Sequence, residues 1–73
     1  MSAEDAIKFM EKTGQCVRAA TVTHEYFRLF QNDTICELRP AGPCCATVIA
    51  QRNYDEFISE GFRVEFEAYD QSA

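Results

Sequence analysis

Residues 25–39, Glu-Tyr-Phe-Arg-Leu-Phe-Gln-Asn-Asp-Thr-Ile-Cys-Glu-Leu-Arg, constrain the fold more than any other part of the chain. Two runs rich in aromatic and β-branched residues flank Asn32 and Asp33, residue types that accept the positive φ of a two-residue hairpin turn. A turn closed on that pair sets Phe30 opposite Ile35, Leu29 opposite Cys36, Arg28 opposite Glu37, Phe27 opposite Leu38 and Tyr26 opposite Arg39. Arg28 and Glu37 then form a cross-strand ion pair and Arg39 lies over the Tyr26 ring, each contact worth roughly 0.2–1 kcal/mol. A slip of one residue loses all of these matches at once.

The expected hairpin is apolar on both sides. Phe27, Leu29, Cys36 and Leu38 share one face, and Tyr26, Phe30 and Ile35 share the other. Two short helices cover one side of a small sheet, so the second side needs another cover. A symmetric homodimer is the commonest solution, and Tyr26, Phe30, Ile35 and Arg39 are the candidate interface. The competing solution is an N-terminal segment wrapped over the same face.

The flanking elements are punctuated by capping residues. Ser2 caps a helix over residues 3–13, with Glu4 and Asp5 at its positive end, Ala3, Ile7 and Met10 on one face, and Gly14 as its stop. The apolar stripe continues through Val17 and Ala20, which leaves a longer helix as an alternative. Residues 16–24 read as strand through Thr21, Val22 and Thr23, although Val22, Tyr26, Leu29 and Phe30 also fit a helical spacing. Two prolines around a glycine make residues 40–43 a loop. Residues 44–50 form a short, apolar, β-branched run, expected to be a buried strand.

Asn53 with Glu56 three residues on is a capping box for a helix over residues 53–61, ended by Gly61 in the left-handed conformation with Phe62 folded back on it. Residues 62–69 alternate. Phe62, Val64, Phe66 and Ala68 point inward, and Arg63, Glu65, Glu67 and Tyr69 point outward. The expectation is a single α+β domain of order α-β-β-β-α-β, with a mostly antiparallel four-stranded sheet and two helices on one face.

A chain of 73 residues buries only about 60% of its surface on folding, so its core is thin. Its net charge of −5 argues against nucleic acid and anionic membranes as partners. The excess is local: residues 51–73 carry a net of −4 and residues 1–50 a net of −1. Glu60, Glu65, Glu67 and Asp70 are therefore the candidate acidic patch for a basic protein partner, and such a patch would also mimic the phosphates of a nucleic acid. The competing reading is a solvated face that keeps the protein soluble. The acidic start of the chain has no apolar leader segment, and no run is long enough to span a bilayer, which points to the cytoplasm and reduced thiols.

Chemistry-bearing motifs are sparse. Cys16, Cys36, Cys44 and Cys45 lack the paired spacing of a zinc site, and as adjacent strand residues Cys44 and Cys45 would point to opposite faces. They read as small apolar core residues, with a disulfide or a metal site as the less favoured alternatives. His24 is the sole histidine and carries no nucleophile pattern. No cofactor and no metal are expected. The function expected is a non-enzymatic protein–protein interaction or inhibitor-type protein, self-associating through its sheet and binding a basic partner through its C-terminal carboxylates. A thiol-based metal- or redox-responsive domain and a small-ligand binding domain are the alternatives.

Overall fold

The computed structural model describes residues 1–31, 33–43 and 45–70. Helix α1 (Ala3–Thr13) begins where the Ser2 hydroxyl accepts the Asp5 amide at 3.2 Å. It stops at Gly14, whose φ of 72° lets its amide turn back to the Met10 carbonyl. The longer helix is excluded, because β1 (Cys16–Ala19) follows two residues later as a strand of its own. Residues 20–25 are a connection rather than the strand read through Thr21–Thr23. The meander β2 (Tyr26–Phe30), β3 (Thr34–Pro40) and β4 (Ala46–Asn53) comes next, then α2 (Tyr54–Gly61) and β5 (Phe66–Tyr69).

The class is α+β as expected, but with five strands rather than four. They run in the order β4-β3-β2-β1-β5, every pair antiparallel. Both helices pack on one face. The main core there joins Ala3, Ala6, Ile7 and Met10 of α1 and Phe57 of α2 to Val17, Ile35 and Phe66 of the sheet. The Asn53 capping box forms in full, with the Asn53 side chain accepting the Glu56 amide at 2.8 Å and the Glu56 carboxylate accepting the Asn53 amide at 3.1 Å.

Gly61 has a different role from the one expected. It is a buried helix residue, the cap is Phe62 in right-handed geometry, and Phe62 is 69% exposed rather than folded back. A Cβ at Gly61 would stand 3.0 Å from the Phe66 ring and 3.6 Å from the Ala3 Cβ. The bare backbone is what lets β5 approach α2.

The hairpin forms one residue out of the expected register. Phe30 pairs with Thr34, Leu29 with Ile35, Arg28 with Cys36, Phe27 with Glu37 and Tyr26 with Leu38. The loop has three residues, and its last, Asp33, carries the left-handed φ of 58°; Asn32 lies outside the described residues. A three-residue loop asks for one positive φ where the two-residue turn asks for two. The magnitudes also favour it. The slip gives up the Arg28–Glu37 pair, worth well under 1 kcal/mol at a surface. It turns Ile35 onto the helix side, where full burial of such a side chain returns about 1.5–3 kcal/mol.

Candidate functional site

Among the described residues, no layer covers the face of the sheet away from the helices. Register brings Tyr69, Cys16, Arg28, Cys36 and Gln51 into one row across five strands, with Tyr26, Leu38 and Val48 in the next. The middle of this face shields itself. Cys16, Tyr26, Cys36 and Leu38 form a second buried cluster, with Tyr69 packed against it. Tyr69 stacks on Tyr26 at 4.9 Å, and the Arg18 guanidinium lies over the Tyr69 ring at 5.4 Å. The Arg28 guanidinium covers the Phe30 ring at 5.3 Å.

The sequence-derived interface therefore divides. Ile35 is fully buried, 0% exposed on the opposite, helix-covered face, and Tyr26 is 3% exposed. Neither is available to another chain. Arg39 lies opposite Thr47 rather than over Tyr26, and it pairs with Glu25 at 2.7 Å. Phe30 remains, 44% exposed at the hairpin end.

Its exposed neighbours lie on β4, where sequence reasoning placed a buried strand. β4 is the edge of the sheet, and Val48 and Ile49 are 44% and 40% exposed. Phe30, Thr34, Cys36, Val48 and Gln51 line a shallow groove. Ile49 is the extra residue of a bulge, between Ala50 opposite Glu37 and Val48 opposite Leu38. The apolar run concealed this, since short hydrophobic strands occur at edges as well as in interiors. The available signal was position: the third strand of a meander leading directly into a helix has one neighbour.

The C-terminal acids each have a partner within the chain. Glu60 pairs with Arg52 at 3.1 Å, Glu65 with the Met1 amine at 2.7 Å and Glu67 with Arg18 at 2.9 Å. Asp70 also has an interaction partner. The structure separates Glu60, beside the helix-side cavity, from Glu67, on the uncovered face.

The thiols are equally dispersed. Cys16 and Cys36 straddle Arg28, two strand spacings or about 9.5 Å apart, beyond the reach of a disulfide. Burial pushes both thiols up from their ordinary range, which disfavours the reactive thiolate. Cys45 is exposed, and Cys44 lies outside the described residues. Among the described residues no three His, Cys, Asp or Glu side chains are grouped to hold a metal ion. His24 is an exposed loop residue 3.8 Å from Glu25.

A cavity of about 180 Å³ lies between α2 and the sheet, with Phe27, Phe57 and Val64 as apolar walls and Glu37, Arg52 and Glu60 as polar ones. Its polar groups are spent on one another: Arg52 donates to Glu37 at 2.7 Å and to Glu60 at 3.1 Å. Beside it, Glu25 and Glu37 can hydrogen-bond each other once either carboxyl is protonated. That bond, together with Arg39 and His24, holds Glu25 below the usual carboxylate range. Burial and the same bond push Glu37 up against the pull of Arg52.

These two shifts act oppositely on stability. A raised folded pKa makes folding less favourable as pH rises through the interval above the unfolded value, whereas a lowered one gives stability that is lost as pH falls. The urea midpoint should therefore rise as pH falls from neutral toward the carboxylate range, then drop as Glu25 protonates. Glu37→Gln should flatten the rise and Glu25→Gln should shrink the drop. A rise that Glu37→Gln leaves untouched would refute the shared proton.

Neither helix is long and apolar enough to cross a membrane. Comparison of the chain with protein-family models, with curated proteins and with solved structures finds no match.

Proposed function

We propose that this protein is a non-enzymatic protein–protein interaction domain that joins other chains, its own copies included, through the uncovered sheet face and the free β4 edge. The observation that carries the reading is the exposure of Phe30 and Val48 around one groove, with Ile49 also exposed next to Val48 on the edge strand. Apolar side chains grouped on a sheet face without a covering layer mark an interaction site more often than they occur by chance. An unpaired strand edge adds a row of backbone donors and acceptors that an incoming strand satisfies.

A basic partner is the weaker part of the reading. It would have to displace Arg52, the Met1 amine and Arg18 from Glu60, Glu65 and Glu67, and the same holds for mimicry of nucleic-acid phosphates. Thiol chemistry and a small ligand have less support, because Cys16 and Cys36 are buried and the polar groups of the cavity neutralise each other.

Multi-angle light scattering from dilute to concentrated protein, combined with mass spectrometry of whatever co-purifies from native cells, tests the proposal. A mass above one chain, or a stoichiometric bound protein, is expected. A strict monomer that carries nothing would end it.

A further inference from the structure

We infer that the occupant of the β4 edge is a second copy of this chain, its own β4 lying antiparallel across a twofold axis so that two five-stranded sheets become one of ten strands. This rests on the interaction reading above and names its partner.

The edge is poorly defended. β4 has eight residues and is the longest strand of the sheet. Its residues 46–51, Ala-Thr-Val-Ile-Ala-Gln, contain no charge and no proline. Native edges are normally blunted by charged residues, prolines, bulges or brevity; of these β4 has the bulge at Ile49 and one charge, Arg52, near its end.

Charge selects the partner and the geometry. A chain of net charge −5 resists its own copies unless their acidic parts stay apart. Here the sheet is polarised, with Glu65, Glu67 and Asp70 in or beside β5 at one edge and a strand without acidic residues at the other. Joining β4 to β4 leaves the two β5 strands nine strand spacings apart, about 43 Å and several screening lengths in physiological salt. Joining β5 to β5 would bring the acidic residues in and beside the two strands together. Within the β4 seam, antiparallel pairing centred on Ile49 puts Arg52, the strand's one charge, opposite Ala46 at the start of the partner strand rather than opposite Arg52. The contact is isologous and closes on itself, as a twofold dimer requires. The groove between Phe30 and Val48 lies beside the seam.

Sedimentation equilibrium of the whole chain, with circular dichroism to monitor folding, separates the possibilities. Wild type should have twice the chain mass of 8.3 kDa. Val48→Lys with Ile49→Lys should halve that mass and keep the fold, while Phe30→Ser should leave the dimer intact. A dimer that Phe30→Ser splits and the edge variant does not would overturn edge pairing and leave the interaction reading standing. A monomer at every concentration would also overturn it, and the reading would then depend on a co-purified partner. Larger species would indicate β4 meeting β5 head to tail, again against the twofold seam. Should the edge variant fail to fold, amide exchange on wild type decides. Alternate amides of residues 46–53 should slow at high concentration, and equal exchange at high and low concentration would sink the inference.

Discussion

Ile35→Ala should lower the stability of the folded chain by about 2–5 kcal/mol, the range for emptying a fully buried aliphatic site. Ile35 is 0% exposed in the main core, on the helix-covered face of the sheet. A domain of this size has only about 4–11 kcal/mol to lose at 0.05–0.15 kcal/mol per residue. Urea denaturation of wild type, Ile35→Ala and Phe30→Ala gives the comparison. Phe30, at 44% exposure, should cost several-fold less than Ile35. The pair also reports the register. With the hairpin turned on two residues, Ile35 would share the outer face with Phe30 and the two costs would be similar. Similar costs would therefore count against the three-residue loop and its Asp33.

Phe57→Ala should be at least as damaging, at about 3–5 kcal/mol. Phe57 is 2% exposed and is the main side chain through which α2 enters the core. It meets Phe27 edge-on at 5.2 Å and Phe66 at 5.0 Å, and Phe27 and Phe66 meet edge-on at 5.8 Å. Three rings at these separations add about 0.5–1.5 kcal/mol per pair beyond burial. The variant thus loses a hub that connects β2, α2 and β5. Thermal unfolding should show a midpoint lower by roughly 12 °C or more, from about 4 °C per kcal/mol in a domain of this length. Near-ultraviolet dichroism should fade with it. A drop of only a few degrees would mean that α2 contributes little to the core.

Much of the fold was legible because short-range chemistry dictates it. Ser2, Gly14, Asn53 and Glu56 satisfy or stop helix ends by hydrogen bonds within three or four residues, and all four act as the sequence implies. The hairpin's existence was equally local. Its register was not, because a choice between two and three loop residues is decided by whether Ile35 or Cys36 joins the core that distant helices close. Gly61 was misread for the same reason: a helix-ending glycine and a glycine cleared for the Phe66 ring look identical in sequence. The candidate surface was half legible. Phe30 was found from alternation, whereas Val48 and Ile49 depended on strand order, which residues 44–50 do not encode. The pairing of the acids was not legible, because their counter-charges, Arg18, Arg52 and the Met1 amine, are brought to them only by tertiary structure.

The position of β5 has a kinetic consequence. The meander from β2 to β4 needs only neighbours in the chain, but β5 joins the sheet beside β1, and 49 positions separate Arg18 from Glu67 in that seam. The entropy of closing so long a loop must be met before the seam returns any contact. On a ribosome, β1 therefore waits with its outer backbone open until residues 66–69 have emerged, and the interval between its synthesis and theirs is when a nascent chain of this protein most needs a chaperone's attention.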